Sequence, residues 1–96
     1  MKEYLIYWSP LAEETYLAIL QYIIQKWSVK EAEDFNKKVE DLIQQLKHHK
    51  NLCPSSMKYR RLRRCVITSQ TSLVYQFRNS TVEIIAFIDN RSNHSF

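Results

Sequence analysis

The segments Leu73-Val-Tyr-Gln-Phe77 and Val82-Glu-Ile-Ile-Ala-Phe-Ile88, with the joint Asn79-Ser-Thr81 between them, decide the fold of this 96-residue chain. Both segments are rich in β-branched and aromatic residues, which favour strands. The short joint requires the two strands, expected at Ser72–Arg78 and Val82–Asp89, to be antiparallel neighbours. Because the chain contains no glycine, any turn residue with a positive φ angle should be Asn, Asp or Ser.

The last strand is expected to lie in the centre of the sheet and to be covered on both faces. Strict alternation puts Leu73, Tyr75 and Phe77 on one face of the preceding strand. In the last strand it puts Val82, Ile84, Ala86 and Ile88 on one face and Ile85 and Phe87 on the other. Two apolar faces are typical of a strand buried between layers.

Two further strands are predicted upstream of this hairpin. One spans Tyr59–Thr68, and the joint Ser69-Gln-Thr71 connects it to the hairpin. The loop Asn51-Leu-Cys-Pro-Ser-Ser56 precedes it and ends the helical half of the chain. The other strand is the first element, Lys2 to Trp8, where β-branched and aromatic residues again predominate.

Two helices are predicted between the first strand and the loop. Ser9 followed by Pro10 is a typical helix start, and Ser28-Val-Lys-Glu31 matches a capping box. The one- or two-residue joint makes the two helices a hairpin. The apolar pattern predicts a well-buried first helix and a second helix with a single core-facing stripe. The residues on these faces are Ala12, Tyr16, Ile19, Leu20, Ile23, Ile24 and Trp27, and then Ala32, Phe35, Val39, Leu42, Ile43 and Leu46.

The element order is therefore β-α-α-β-β-β, which belongs to the α+β class. We expect a helical hairpin packed on one face of an antiparallel sheet. A chain of 96 residues has the length of one small domain, so residues 1–96 are expected to form a single unit.

Positive charge is concentrated in the last third of the chain. Residues 58–96 contain seven Lys/Arg and two Asp/Glu, whereas residues 1–57 contain seven and eight. The run Lys58-Tyr-Arg-Arg-Leu-Arg-Arg64 carries most of the excess. Such asymmetry indicates a polyanionic partner, either nucleic acid or an acidic protein.

The residue content disfavours several classes of protein and site. There is no signal-peptide pattern, and the richest apolar stretch, residues 17–24, is too short to span a membrane, so we expect a cytoplasmic protein. Cys53 and Cys65 are too few for a disulfide framework and are expected to be reduced thiols. Together with His48 and His49 they lack the spacing of a zinc site. Without glycine there is no phosphate-binding loop, and we expect no metal, no cofactor and no small-molecule substrate.

The chain resembles the RelE/ParE superfamily of bacterial toxins, the toxic components of type II toxin–antitoxin pairs. The resemblance is carried by Tyr7-Trp-Ser-Pro-Leu-Ala12, the helical spacing through Phe35 and Val39-x-x-Leu42, the strand Leu73–Phe77 and the ending Ile85-Ala-Phe-Ile-Asp-Asn-Arg91. It implies the fold, an antitoxin partner and toxicity when the antitoxin is absent. RelE-like members cut mRNA on the ribosome with basic residues and a Tyr or His near the C-terminus, whereas ParE-like members block DNA gyrase.

The resemblance places candidate catalytic residues at the C-terminus. Arg91 matches an essential arginine of RelE-like toxins, where a guanidinium could hold a phosphate bidentately; the alternative is an arginine that pairs with Asp89 or anchors the tail. His94 is either a general acid or base or a solvated histidine near the chain end. Phe96 replaces a catalytic tyrosine of RNA-cleaving relatives, and Ser72 replaces an arginine. Both departures favour the ParE-like branch.

The basic run supplies candidate binding residues. On an exposed strand its arginines would alternate between both faces and could follow phosphates, with Tyr59 available for stacking, or dock an acidic antitoxin segment. Charges on an exposed strand also prevent edge-to-edge aggregation. The candidate target- or antitoxin-binding residues are Tyr59, Arg60, Arg61, Arg63, Arg64, Arg78 and Arg91. The candidate catalytic residues are Arg91, His94 and Arg64.

The sequence therefore predicts a toxin of the ParE-like branch that inhibits growth by binding DNA gyrase unless its antitoxin neutralises it. Target binding is preferred to catalysis, and whether the chain is an enzyme stays open. One alternative is a ribosome-dependent mRNA endonuclease. A second is a domain that binds a partner protein without being toxic.

Overall fold

The computed structural model describes residues 3–90 of the chain. Its elements follow the predicted order β-α-α-β-β-β. The helices are α1 (Pro10–Lys26) and α2 (Val29–Leu46). The strands are β1 (Leu5–Trp8), β2 (Arg63–Val66), β3 (Thr71–Arg78) and β4 (Thr81–Asp89). The predicted α+β class, with a helical hairpin on one face of a sheet, is confirmed.

Both helices begin at the predicted serine caps. The amide of Ala12 donates to Oγ of Ser9 over 3.0 Å, and the amide of Glu31 donates to Oγ of Ser28 over 3.1 Å. Each serine therefore satisfies one of the backbone N–H groups that a helix start leaves without an intrahelical partner. Trp27 and Ser28 alone separate α1 from α2, so the two helices must turn back on each other as a hairpin.

The sheet has the strand order β1-β4-β3-β2. The pairs β2–β3 and β3–β4 are antiparallel, as their short joints require. The first strand, however, lies parallel to β4, so the sheet is mixed and not wholly antiparallel. Parallel pairing is possible because the whole helical hairpin and two strands lie between β1 and β4 in the chain, which is ample length for a crossover. The predicted central position of β4 is confirmed.

A β-bulge in β4 changes which residues share a face. Tyr75 pairs with Ile84, whereas its neighbour Val74 pairs with Ala86, so Ile85 is the extra residue. Beyond the bulge the alternation is reversed: Phe87 joins the helix-facing core, and Ala86 contributes to the opposite face. The prediction that Val82, Ile84, Ala86 and Ile88 share one face is therefore wrong.

Helix α1 satisfies the backbone groups of the bulged strand. Oγ of Ser9 donates to the carbonyl oxygen of Ile85 over 2.8 Å, and the amide of Ser9 donates to the carbonyl oxygen of Ile84 over 3.0 Å. The amide of Phe87 donates to Oγ1 of Thr15 over 3.0 Å. Because side chains of α1 replace missing ladder partners, the bulge leaves none of these groups without a hydrogen bond.

The core lies mainly between the helices and the sheet. Its largest fully buried side chains include Leu46, Tyr75 and Ile84. A second, smaller cluster of Val74, Ala86 and Ile88 lies on the opposite face of the sheet. The two clusters confirm that β4 is covered on both faces.

Helix α1 is less buried than its sequence predicts. Of its residues only Ala12 is fully buried, and Leu17, Tyr22 and Ile24 are 58%, 45% and 46% exposed. The helix packs one side on β4, so an apolar surface wider than that contact remains on the outside.

The predicted strand Tyr59–Thr68 is much shorter in the structure. Only Arg63–Val66 form β2, because the chain reverses direction just before it. The amide of Ser56 donates to the carbonyl oxygen of Leu62 over 2.7 Å, and Ser55 and Arg63 form an isolated antiparallel bridge. These contacts cover the outer edge of β2, so the chain protects this edge strand with its own backbone.

The same chain reversal brings the two cysteines together. Cys53 and Cys65 form a disulfide, with their Cα atoms 5.3 Å apart. The prediction of two reduced thiols is therefore wrong. Residue counting gives no information about this pairing, because the cysteines meet only when residues 54–62 fold back onto the start of β2.

Candidate functional site

The basic loop, which we define as residues 54–64 between the two bonded cysteines, carries the densest positive charge of the chain. Lys58, Arg60 and Arg61 lie on its turn and are exposed. Tyr59 is 44% exposed, and the ammonium nitrogen of Lys58 is 5.9 Å from the centre of its ring. The turn is closed by the amide of Leu62, which donates to the carbonyl oxygen of Tyr59 over 3.0 Å. The structure therefore groups three exposed cations and one ring at the end of the loop.

The remaining two arginines of the basic loop lie on opposite faces of β2 and are half-buried. Nη1 of Arg63 donates to the carbonyl oxygen of Cys53 over 2.6 Å, on the face of the helices. Nη2 of Arg64 donates to Oδ1 of Asn90 over 2.6 Å, on the other face. The predicted alternation between both faces therefore holds for Arg63 and Arg64, whereas Arg60 and Arg61 lie on the exposed turn before β2 and not on a strand. The basic run is divided into this turn and two arginines that bind oxygen atoms of the protein itself.

Arg64 takes part in a small polar cluster on the face of the sheet away from the helices. Oγ of Ser72 donates to the same Oδ1 atom of Asn90 over 2.5 Å, and Nδ2 of Asn90 donates to the carbonyl oxygen of Thr68 over 3.2 Å. Within residues 3–90, no group accepts a hydrogen bond from the buried Nε of Arg64. The hydrogen-bonding capacity of this guanidinium N–H is therefore not used by the described part of the cluster.

Two roles in this region have no signal in the sequence, that of Asn90 and that of the Tyr75 hydroxyl. Asn90 organises the polar cluster, and a single asparagine after a strand gives no signal of such a role. Tyr75 is fully buried, and its hydroxyl donates to the carbonyl oxygen of Lys50 over 2.7 Å and accepts from the amide of Cys53 over 3.5 Å. Burial raises the pKa of Tyr75, while the hydrogen bond from Cys53 and the charge of Arg63 act in the opposite direction.

Arg78 is separate from the basic loop. It lies at the other end of β3, where its Nη2 is 3.7 Å from Oε1 of Glu83, and its side chain is 68% exposed. The same carboxylate oxygen accepts from Nε2 of Gln76 over 2.6 Å. Arg78 was predicted to share a binding surface with the other arginines, but its closest charged contact is this exposed ion pair. Arg91 and His94 lie outside the described residues.

An open groove of about 770 Å³ lies between the helical hairpin and the joint before β3. Its apolar side includes Ile19, Tyr22 and Ile23 of α1, and its rim includes Asp34 and Lys38 of α2. Such a concave surface with an apolar base and charged rim suits a segment of a protein partner.

Exposed apolar side chains continue beyond the groove over what we call the hairpin tip, residues 22–29. Trp27 and Val29 are 66% and 59% exposed, and Tyr22 and Ile24 are 45% and 46% exposed. Four large apolar side chains within eight residues are more than isolated surface residues. The hairpin tip is therefore a second candidate interaction surface.

Among residues 3–90, no three His, Cys, Asp or Glu side chains are close enough together to hold a metal ion. In the same range neither helix combines the length and the hydropathy needed to cross a membrane.

Comparison with known proteins relates this architecture to two solved structures. A structure described as the chromosomal ParDE TA system from P. aeruginosa superposes with a TM-score of 0.78 at 11% identity, over 91% of this chain and 96% of that chain. The conserved hypothetical protein HP0894 from Helicobacter pylori superposes with a TM-score of 0.55, also at 11% identity, over 95% of this chain and 99% of that chain. At this identity the likeness establishes the fold. None of the curated proteins matches the sequence.

The sequence itself matches a protein family over most of its length. The model of the family described as "ParE toxin of type II toxin-antitoxin system, parDE" matches residues 6–94. This span includes every helix and all but one residue of the strands, together with the basic loop. The chain belongs to the ParE toxin family of type II toxin–antitoxin systems.

Proposed function

We propose that this protein is a growth-inhibiting toxin that binds a macromolecular target of the DNA gyrase type through the turn of its basic loop. The observation that carries the proposal is the grouping of Lys58, Arg60 and Arg61, all exposed, on a turn closed at its base by a disulfide. A charged group held in place loses less conformational entropy on binding than a mobile one, so the loop is suited to contact an anionic surface.

The choice of target binding over RNA cleavage is supported by the position where the resemblance expects a second catalytic arginine. That position holds Ser72, whose side chain is fully buried and bonded to Asn90. A buried serine hydroxyl supplies neither positive charge nor a proton-transfer group to a phosphate. The basic turn is therefore better suited to binding than to chemistry.

A cognate antitoxin is the proposed second partner. The hairpin tip and the groove leave apolar surface exposed, and the turn of the basic loop leaves three cations exposed. An antitoxin segment with apolar residues for the first two surfaces and acidic residues for the third would cover both kinds of surface. We expect Trp27→Glu to prevent co-purification with the small acidic protein of the adjacent reading frame. Val66→Glu, at an exposed residue of β2, is the control that should still co-purify.

A supercoiling assay tests the target. The purified protein should inhibit DNA supercoiling by gyrase, and Arg60→Ala/Arg61→Ala should raise the concentration needed for half-inhibition by about tenfold or more, since each exposed charge at an interface contributes on the order of 1 kcal/mol. Lys26→Ala/Lys30→Ala, which removes the same charge from another exposed region, is the matched control and should inhibit like the wild type. Equal potency of all three proteins would refute the role of the turn.

One observation favours the alternative of a ribosome-dependent mRNA endonuclease. The buried Nε of Arg64 has no hydrogen-bond partner in the part of the chain that the structure describes, and a phosphate oxygen that reached it would satisfy it. In that case ribosomes on a defined message would show cleavage in the A site, and Arg64→Ala or Arg91→Ala would abolish it. Inhibition of supercoiling without such cleavage would exclude this alternative.

A further inference from the structure

The disulfide closes a ring that contains five of the chain's fourteen Lys/Arg residues. The ring spans the basic loop, and its turn is the surface that the proposed function uses. A covalent bond at the base of a binding loop restricts where the charges on its turn can be placed. The disulfide is thus in a position to influence the proposed binding surface without being part of it.

Contacts with the rest of the protein hold the C-terminal end of the basic loop, where Leu62 packs on the smaller core cluster and Arg63 and Arg64 pair with β3, whereas the hydrogen bonds of the preceding residues are internal to the loop. Near its base, the amide of Arg64 donates to the carbonyl oxygen of Pro54 over 3.1 Å, and the amide of Ser56 donates to the carbonyl oxygen of Leu62 over 2.7 Å. At the turn, the amides of Lys58 and Tyr59 donate to Oγ of Ser56, each over 3.3 Å. These bonds join parts of the loop to each other. They would therefore be lost together if the loop opened at its base.

The two cysteines differ in how firmly the remaining fold holds them. Cys65 lies in β2 opposite Leu73 and is 3% exposed, so the β2–β3 ladder holds it independently of the disulfide. Cys53 belongs to no helix or strand and is 9% exposed. Besides the disulfide, it is held by the long hydrogen bond to the hydroxyl of Tyr75 and by the bond from Arg63. Breaking the disulfide would therefore release the Cys53 side of the loop first.

The surrounding charge favours thiol–disulfide exchange at this bond. Arg63 donates to the carbonyl oxygen of Cys53 over 2.6 Å, which places a permanent positive charge beside the backbone of Cys53. Positive charge stabilises a thiolate, and a more stable thiolate is a better leaving group in exchange. The charge therefore favours the step of reduction in which Cys53 leaves as a thiolate.

We propose that the Cys53–Cys65 disulfide is a redox latch that orders the basic loop when oxidised and releases it when reduced by a dithiol. A thiolate of the dithiol attacks Sγ of Cys53, Cys65 leaves as a thiolate that takes up a proton, and the second thiol of the dithiol then displaces Cys53. In total two electrons and two protons pass to the protein, and the dithiol becomes a disulfide. Oxidation restores the ordered loop, so the proposed binding surface is complete under oxidising conditions. This last consequence rests on the proposed function.

Limited digestion with trypsin measures the latch directly. Proteolysis follows the population of locally opened states, so the rate at which trypsin cleaves after Lys58, Arg60 and Arg61 reports how often the loop leaves its folded conformation. Treating the full-length protein with dithiothreitol should raise the rate of these cleavages by about tenfold or more, since the open loop becomes more populated. Cleavage after Lys37 in α2 and after Arg78 at the end of β3 is the internal reference. The rate of cleavage at these two sites should differ by less than about twofold between the oxidised and the reduced protein.

A matched variant separates the latch from an effect of the reagent. Cys53→Ser/Cys65→Ser should be cleaved in the loop at the fast rate whether or not dithiothreitol is present. Hydrogen exchange at the amide of Leu73 in β3 should remain slow in this variant and in the reduced wild type. Equal loop cleavage in oxidised and reduced wild type would overturn the proposal. So would a parallel rise at Lys37 and Arg78, because the disulfide would then be a support of the whole fold.

Failure of the latch and failure of the proposed function give different results. If both hold, the oxidised protein inhibits gyrase at a lower concentration than the reduced protein. If loop cleavage responds to dithiothreitol but neither form inhibits gyrase, the latch stands and the proposed target is wrong. If both forms inhibit equally and cleavage does not respond, the target stands and the latch is wrong.

Discussion

At the scale of single residues, Tyr75 connects the core to the segment that carries the basic loop. Its ring is fully buried, while its hydroxyl reaches the backbone of Lys50 and Cys53. The sequence correctly places Tyr75 on the same face of β3 as Leu73 and Phe77, which the structure shows to be the face of the main core. It gives no information on the hydroxyl, because the partners lie in a loop whose path is set by a distant disulfide.

Replacing Tyr75 by phenylalanine tests this connection. Tyr75→Phe removes the hydroxyl and leaves the carbonyl oxygen of Lys50 without its donor, which should lower the free energy of unfolding by about 1–2 kcal/mol. Tyr22→Phe, at a tyrosine that is 45% exposed, is the matched control and should change it by less than about 0.5 kcal/mol. Urea denaturation measures both. No difference between the two variants would mean that the hydroxyl is not a structural anchor.

The pH dependence of stability reports on the same hydroxyl. Burial raises the pKa of Tyr75 above its value of 10.0 in an unfolded chain, so the folded protein holds this proton more tightly. The resulting stability is fully present below pH 10 and is lost as the pH rises from there through the folded pKa. Tyr16, whose pKa is also raised by burial, contributes in the same direction. The decline in the free energy of unfolding above pH 10 should be smaller in Tyr75→Phe than in the wild type.

At the scale of elements, Ser9 both caps α1 and binds the bulged strand, whereas Ser28 only caps α2. Both helices begin at a serine cap, as their sequences predict. Ser9 in addition donates to the carbonyl oxygen of the bulged residue Ile85. The bulge itself was not predictable: strict alternation fits Val82 to Ile88 equally well, and the bulge depends on side chains of Ser9 and Thr15, which are more than seventy residues away in the sequence.

Two serine substitutions separate the effect of the cap from that of the bond to the bulge. Ser28→Ala removes a cap and should lower the free energy of unfolding by about 1 kcal/mol. Ser9→Ala removes a cap and the bond to the bulge, and should lower it by about 1 kcal/mol more. Thermal denaturation of the two variants gives the comparison. A loss for Ser9→Ala no greater than that for Ser28→Ala would show that the bulge does not depend on α1.

The hairpin of β3 and β4 turns without glycine. Asn79 and Ser80 both have positive φ angles, 54° and 61°, as expected for a chain in which Asn, Asp or Ser must take such positions. Two positive φ angles are typical of a type I′ turn, in which Asn-Gly is the preferred pair. Asn79 matches that preference. Ser80 has a Cβ atom, and its left-handed conformation is therefore sterically unfavourable.

Ser80→Gly should therefore stabilise the protein by about 1 kcal/mol, because glycine adopts the left-handed conformation without steric cost. Ser69→Gly in the joint before β3 is the matched control and should give no gain, since glycine there only adds freedom to the unfolded chain. Urea denaturation of both variants checks the prediction. A stability of Ser80→Gly at or below that of the wild type would contradict the turn geometry.

At the scale of the whole molecule, more apolar surface is exposed on α1 than the helical pattern predicts. The positive charge of the basic run is also divided between an exposed turn and two half-buried arginines. The layered architecture could be predicted because short joints and helix caps are encoded locally, and the family was predicted from the resemblance of several motifs to RelE/ParE toxins. The binding surface could not, because the direction of each arginine depends on the chain reversal at residues 54–62. Two of the four arginines of the basic loop bind oxygen atoms of the protein, so the exposed positive charge is that of Lys58, Arg60 and Arg61 on the turn.

The survival of bacteria that express this chain tests the account most directly. Induction of the wild type without any partner should reduce viable counts by at least about tenfold. Arg60→Ala/Arg61→Ala should restore growth, whereas Lys26→Ala/Lys30→Ala should remain toxic, because only the first pair removes the exposed charges of the turn. Undiminished viability with the wild type, or equal toxicity of the two variants at equal expression, would contradict the claim that the protein is a toxin that acts through its basic loop.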